Sequence, residues 1–349
     1  MKYFCVDHPF PHHGYHSGYK VLGQYLTSEL IEGSSYSPRI LDWIPESTLN
    51  RYLKLHPNWY SRQALLVEFE ISKRLFSQAN NLFHFLYGEN SFHYTGRLNA
   101  FTGHRNRITA TFHQIPAFFE QRRNQFSFLR TLDAAVLVSS NQLPFFESTL
   151  NVDKIHVIPH GVDTDYFRPS VEPLLERSKI NCLTVGSNYR DIDLHISVIK
   201  ALNKTSLSKN FEFQVIGEPR FSDIYSKIGN VNYLSGISDK SLLETYQNAD
   251  ILLMPLTDAT ANNGILEGMA CGIPIVVTDV GGIKDYVDDC FARLLPLHDV
   301  EAMIESVITL SNDNEMRKSM GQLARLKAEE KFSWKNIATR MIDLYDSIS

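Results

Sequence analysis

The chain has little cysteine: four residues in 349, at positions 5, 182, 271 and 290, with no two closer than 19 positions. That spacing fits neither a disulfide framework nor a zinc site, and a reducing cytoplasm is the expected setting. Long apolar runs are missing too. A bilayer-spanning helix takes about 18 or more consecutive apolar residues, whereas the longest stretches here, such as 251–254 and 273–277, are strand-sized. The opening Met1-Lys2-Tyr3-Phe4-Cys5-Val6-Asp7 turns polar too early for a secretory signal, so none is expected. Positive charge is not in excess. Lys and Arg number 34 against 39 Asp and Glu, a net charge of −5, which excludes a globally basic nucleic-acid binder. There is no repeat of solenoid length and no low-complexity tract.

What is present is globular. Apolar residues make up 43% and charged residues 21%, which argues against disorder or a fibre, and the length suits two domains of ordinary size. Short apolar runs alternate with helical stretches. The strands expected are 2–6, 39–43, 82–86, 108–112, 135–139 and 155–158, then 182–185, 211–216, 231–234, 251–254, 273–277 and 292–295. Helices are expected at 19–30, 61–77, 239–249 and 300–310, among others. Such alternation implies an α/β protein with two doubly wound parallel sheets. Pro169 and Pro173 mark a linker at 167–173. Charge and histidine are unevenly spread. Residues 1–168 hold 11 of the 13 His and a balance of +2, against −7 for the remainder. Sampling noise explains the charge as well as function does. The His bias draws more attention, because His12, His13, His16, His84, His93 and His113 fall near expected strand ends, where α/β proteins place ligands.

The segment Ile158-Pro-His-Gly-Val-Asp-Thr-Asp-Tyr-Phe-Arg-Pro169 reads as a strand that ends, turns at Gly161 and runs into the linker. It resembles the Ile-Pro-Asn-Gly-Val-Asp…Phe-x-Pro segment of retaining glycosyltransferases of the GT-B fold, family four (group 1), with His160 in place of Asn. Asp163-Thr164-Asp165 has the form of an Asp-x-Asp metal clamp, but in this context a turn is expected, since Asp and Thr side chains bond nearby backbone N–H groups. A second segment, 259–278, carries Asn262, Asn263 and Gly264 in a loop, then a helix containing Glu267 that Cys271-Gly272-Ile273-Pro274 stops. A helix N-terminus offers free N–H groups and a positive dipole end to phosphate, and a carboxylate one turn in can accept hydrogen bonds from a ribose diol. The segment resembles the Glu-x7-Glu signature of the same family, with Glu267 as the second Glu. The first falls on Ala259, eight positions earlier, and the nearest carboxylate is Asp258. Three readings stay open: Asp258 substitutes, the loop with Asn262 and Asn263 holds the sugar, or catalysis is lost.

Other positions follow the same resemblance. After strand 182–185 the family has Gly-Arg…Lys-Gly gripping the diphosphate; here Gly186-Ser187-Asn188-Tyr189-Arg190 keeps the Gly and one cation. Arg190 either binds phosphate in bidentate fashion or forms a surface pair with Asp193. The stretch with Tyr233 and Leu234, followed by Leu242…Tyr246…Ala249-Asp250, is similar to the part whose backbone reads the nucleobase. Phe332-Ser-Trp334 is similar to the family's closing motif. In the N-terminal half the match is looser: a glycine loop with Gly14, His16 and Tyr19, and His113 at the position of the family's active-site His. Glu89 follows a strand end and serves either acceptor contact or helix capping. The mixed aromatic and Arg stretch 118–130 reads either as a membrane-leaning surface or as core on one side and solvated on the other.

The resemblance implies a GT-B fold of two Rossmann-like doubly wound domains facing across a cleft. Residues 1–168 would bind the acceptor, 169–332 the nucleotide sugar, and a helix at about 333–349 would pack back on the first domain. It implies retaining, metal-independent transfer of a sugar from a nucleoside-diphosphate sugar to a hydroxyl of a glycan, lipid-linked or small-molecule acceptor. No cofactor and no divalent metal are expected, and the location implied is cytoplasmic, with weak contact at the inner membrane face. His113, Arg190 and Asp258 would be catalytic. Gly14, Gly186, Ser187, Tyr233, Leu234, Asn262, Asn263, Gly264, Ile265 and Glu267 would bind the donor, and His16, Tyr19 and Glu89 the acceptor. A phosphorylase or epimerase on the same fold, and a catalytically silent nucleotide-binding subunit, are the alternatives.

Overall fold

A computed structural model describes the chain except residues 9, 11–13, 27, 34–38, 40–41, 54–58, 104, 172–177 and 206–209. The chain divides into two compact units. The first comprises Met1–His13, Tyr19–His160 and Ile337–Ser349; the second comprises Gly14–Gly18 and Gly161–Asn336.

The first unit is built on β1 (Lys2–Val6), β2 (Ser28–Ile31), β3 (Asn81–Phe85), β4 (Arg107–Phe112), β5 (Ala134–Leu137) and β6 (Ile155–Val157). They form one six-stranded sheet in the order β2-β1-β3-β4-β5-β6, and every pair is parallel. β3 and β5 are buried along their whole length, which is why their apolar residues fall on both faces rather than alternating. Their core is rich in phenylalanine, with Phe4, Phe83, Phe85, Phe112, Phe119, Phe126 and Phe146 all buried. Phe119, Phe126, Phe128 and Leu129 belong to this core, while Arg123 pairs with Glu120 at the surface. The stretch 118–130 thus spends most of its apolar side chains internally. The terminal residues lock onto the same sheet: Tyr345 Oη lies 2.5 Å from His84 Nδ1, Tyr3 donates to Asp346 at 3.1 Å, and Arg340 donates to the Val157 carbonyl at 3.0 Å.

The second unit holds β7 (Ile180–Val185), β8 (Phe211–Ile216), β9 (Val231–Leu234), β10 (Ile251–Met254), β11 (Ile275–Thr278) and β12 (Ala292–Leu295). Their order is β12-β11-β10-β7-β8-β9, again parallel throughout. The order reverses between β7 and β10, and such a switch point opens a crevice at the strands' C-terminal ends. Two sequence segments far apart meet in this unit. Val162 bridges to Ser333, and Trp334 covers Gly161 so closely that a Cβ there would lie 2.4 Å from the indole.

Two expectations are corrected. The helix expected at 19–30 is a 3-10 turn at Tyr19–Val21 and a short helix at Leu22–Tyr25; Ser28–Ile31 is instead the edge strand β2, paired with β1. The strand expected at 39–43 is not formed at Asp42 and Trp43, which lie in a turn, and residues 40 and 41 are outside the described residues. The linker expected at 167–173 is likewise only partly described. The compact units divide at His160/Gly161, and the Gly161–Pro169 stretch is grouped with the second.

Candidate functional site

In the second unit the residues of interest gather where β7 and β10 end. Gly186 leaves β7 with φ +85°, a left-handed conformation that glycine adopts without strain. It also lacks a Cβ where Arg190 folds back, since a Cβ would approach Arg190 Nη2 to 2.9 Å. Arg190 donates from Nε to the Val185 carbonyl at 2.9 Å and from Nη1 to the Asn188 carbonyl at 3.0 Å. Its Nη2 also meets the Val185 carbonyl and reaches Asn262 Oδ1 at 3.4 Å. The surface pair with Asp193 is therefore not the one formed. The guanidinium spends most of its five N–H groups internally and sits as a fixed positive charge; burial pushes its pKa down to about 10, so it stays charged at neutral pH.

Beside it begins the helix Asn263–Ala270. Asn262 is its N-cap, with Oδ1 accepting the Ile265 N–H at 3.3 Å, and the Asn262 carbonyl accepts Ile265 and Leu266 at 3.1 Å each. The Ile265 N–H, expected to face phosphate, is thus already engaged. Those of Asn263 and Gly264 are the first two of the helix and have no i−4 carbonyl to bond. Gly264 packs against Val185 and Met254, its absent Cβ falling 3.4 Å from Val185 Cβ and 3.3 Å from Met254 Cε.

Glu267, one turn in, is only 5% exposed. Its Oε1 accepts from Ser17 Oγ at 2.9 Å and its Oε2 from Tyr246 Oη at 2.8 Å. Burial pushes its carboxyl up to about 7, against the lowering effect of those two hydroxyls. Tyr246 lies in the helix Asp239–Gln247 and also donates to the Gly264 carbonyl at 3.3 Å. Asp239 opens that helix and accepts the Tyr15 N–H at 2.7 Å, so the loop at 14–18 is pinned here; Gly14 leaves no room for a Cβ, which would meet Asp239 Oδ1 at 1.7 Å. His16 stacks on Tyr166 with ring centroids 3.5 Å apart, and its Nδ1 is 2.7 Å from Asp163 Oδ2. The other oxygen of Asp163 accepts the Tyr166 N–H at 3.0 Å, the local turn anticipated for Asp163-Thr164-Asp165. Among the described residues no three His, Cys, Asp or Glu side chains gather as metal ligands.

The remaining donor-side residues tie neighbouring strand ends together. Ser187 Oγ accepts the Glu218 N–H at 2.8 Å, Tyr233 Oη donates to the Glu218 carbonyl at 2.6 Å, and the Leu234 carbonyl accepts from Gly217 at 3.0 Å. Ala259 is 4% exposed, and Asp258 turns its Oδ1 back onto the Ala259 N–H at 2.8 Å.

In the first unit Tyr19, Glu89 and His113 form a cluster at the C-terminal ends of β3 and β4. The His113 N–H donates to Glu89 Oε1 at 3.1 Å, and His113 Nε2 lies 2.8 Å from the Leu86 carbonyl. Tyr19 has no exposed surface, and its ring meets His113 edge-on at 4.8 Å; it packs as core rather than offering surface to an acceptor. Glu89 is 2% exposed, its Oε2 has no hydrogen-bond partner among the described residues, and burial pushes its carboxyl up to about 7. His84 lies inside β3 rather than at its end, buried between Tyr345 and Thr111; burial drives its pKa down to about 3, so it stays neutral. His12 and His13 lie outside the described residues. Ser17, Asp239 and Tyr246 carry no short-range signal linking them to Glu267, because their meeting depends on the fold.

Residues 179–313 match the family model for glycosyl transferases group 1. The chain is 24% identical over 205 residues to the MMP alpha-(1->4)-mannosyltransferase of Mycolicibacterium hassiacum, covering 56% of this chain and 48% of that protein. It is 26% identical over 258 residues to the D-inositol 3-phosphate glycosyltransferase of Paenarthrobacter aurescens, covering 65% and 61%. The chain thus spans about half to three-fifths of the length of these curated relatives. Among solved structures, sucrose-phosphate synthase from Thermosynechococcus elongatus aligns over 100% of this chain and 99% of that one with a TM-score of 0.75 at 16% identity. Anabaena HepE in complex with UDP and glucose aligns over 99% and 100%, with a TM-score of 0.72 at 14% identity. Two parallel six-stranded sheets with flanking helices are the GT-B architecture of these glycosyltransferase structures, and residues 179–313 are similar to the group 1 glycosyl transferases.

Proposed function

We propose that the protein transfers a sugar from a nucleoside-diphosphate sugar to an acceptor hydroxyl, with retention at the anomeric carbon and without a divalent metal. One observation carries this reading: the charged Arg190 is fixed beside the N-terminus of Asn263–Ala270, with buried Glu267 one turn further in. Departure of a dianionic diphosphate is the demanding step, and positive groups fixed where that charge grows lower its barrier. The N–H groups of Asn263 and Gly264, the helix dipole and Arg190 supply that potential. Glu267 holds the ribose. The leaving phosphate takes the acceptor proton on the same face of the sugar, so a separate base is not required. The names of the relatives support a glycosyl donor, and the HepE complex contains UDP and glucose.

Ala259 at the place of the first Glu, with Asp258 turned back on its own loop, favours a second reading: a subunit that binds nucleotide without turnover. Pure protein incubated with UDP-, GDP-, ADP- and TDP-sugars, with and without a chelator, separates the two. With water as the only hydroxyl present, an active enzyme gives slow release of nucleotide and free sugar, and with a hydroxyl acceptor added it gives a glycoside whose anomeric configuration NMR reads; the silent subunit gives binding alone. Glu267→Ala is expected to weaken donor binding and Arg190→Ala to lower turnover. Wild-type kinetics in both variants would remove the site from this part of the fold.

A further inference from the structure

The carboxylate of Glu267 is buried, yet neither oxygen is bare. Tyr246 holds Oε2 at 2.8 Å from a hydroxyl that is itself fully buried, on a helix packed into the core. Ser17 holds Oε1 at 2.9 Å from a half-buried loop. The two partners differ in how readily they can leave. Moving Tyr246 would disturb the core and the Gly264 contact. Moving Ser17 requires that residues 14–18 release the Tyr15 and His16 N–H groups from Asp239, at 2.7 and 3.4 Å, and the His16 pairing with Asp163 and stacking on Tyr166. Tyr15, next to that pairing, is 66% exposed.

A buried carboxylate is costly to leave unsatisfied, so a site built to accept a ligand hydroxyl needs a substitute donor when the ligand is away. The Ser17 hydroxyl has that chemistry: one O–H donor on a small side chain, directed at the oxygen not committed to Tyr246.

We propose that Ser17 is a built-in stand-in for a ribose hydroxyl on Glu267 Oε1, that Tyr246 is the positioning residue which keeps Oε2 fixed, and that nucleotide binding displaces the loop at 14–18. This rests on the ribose role given to Glu267 above. Binding is then an exchange of one hydroxyl for another at a carboxylate that never loses its partners, and its affinity is set partly by how firmly Asp239, Asp163 and Tyr166 hold the loop. The charged and titratable groups facing this carboxylate are Asp239 and Tyr246 on one helix and Cys271 at the end of its own, with Arg190 acting on Tyr246 from the β7 end.

The test is calorimetric titration of the full chain with UDP, GDP and ADP and with their 2′,3′-dideoxy counterparts. Ser17→Ala is expected to bind the preferred ribonucleotide more tightly, by up to about tenfold for one competing hydrogen bond. The gain should vanish for the dideoxy form and on a Glu267→Gln background. Tyr246→Phe is expected to move the pH midpoint of binding upward, because the hydroxyl it removes holds the Glu267 pKa down. A merely structural tyrosine would change stability without moving that midpoint. If Tyr246→Phe fails to fold, the Ser17→Ala comparison decides alone. Ribonucleotide binding that Ser17→Ala leaves unchanged, or tightens equally for the dideoxy form, overturns the stand-in while leaving the ribose site intact. No binding of any of the three nucleotides to wild type or Ser17→Ala overturns the nucleotide reading itself.

Discussion

Asn262 joins two parts of the site through one oxygen. Its Oδ1 caps the helix by accepting from Ile265 at 3.3 Å and meets Arg190 Nη2 at 3.4 Å. Removing a cap of this kind costs about 1 kcal/mol, so Asn262→Ala should lower stability by that order and loosen Arg190. Asn262→Asp is the more informative change. It keeps the cap and suits the helix dipole, but puts negative charge where a diphosphate is expected. Denaturant unfolding should show stability near wild type, and nucleotide titration should show weaker binding. If binding is unaffected, phosphate does not sit at this helix end. The candidacy of Asn262, Gly264, Glu267 and Arg190 was legible in the sequence because capping residues, glycines and charges carry their chemistry locally. The engagement of the Ile265 N–H and the internal bonding of Arg190 were not legible, because they depend on where β7 and the helix come to lie.

Elements were legible in proportion to their burial. Runs such as Leu82–Leu86 and Ile251–Met254 announced themselves because both faces are covered. Ser28–Ile31 did not: it is a half-buried edge strand, and Leu22, Leu26 and Leu30 repeat at helical spacing. Pairing with β1 overrode that local pattern. The docking of Phe332-Ser-Trp334 on the Gly161 turn is a contact between elements that only their assembly produces. Gly161 is required there, since a methyl group would sit 2.4 Å from the indole of Trp334. Overpacking of this kind costs about 1–3 kcal/mol. Gly161→Ala should therefore lower the urea midpoint, and an unchanged midpoint would mean that the indole does not cover this turn.

For the whole molecule, the expected pH response follows from carboxyls whose burial outweighs their stabilising partners. Burial pushes Asp7 up to about 6, and Glu89 and Glu267 up to about 7. Each holds its proton in the folded chain at pH values where the unfolded chain has already lost it. Their joint contribution therefore falls as pH rises from about 4.5, near the unfolded value, to about 7. Glu89→Gln removes one such group and should flatten the decline in stability over that window, read as unfolding midpoints at several pH values. An unchanged slope would mean that Glu89 is ionised in the fold. No helix among the described residues is long and apolar enough to cross a membrane.

The sequence by itself determined the two α/β units, most of their strands and the group 1 segment, because hydrophobic alternation, capping and turn chemistry act over a few residues. Only the tertiary structure decided that Ser17 and Tyr246 share the Glu267 carboxylate, that Trp334 covers Gly161 and that Tyr19 is core. Those contacts join positions far apart in the chain, and their energies exist only once the sheets have brought the positions within bonding distance.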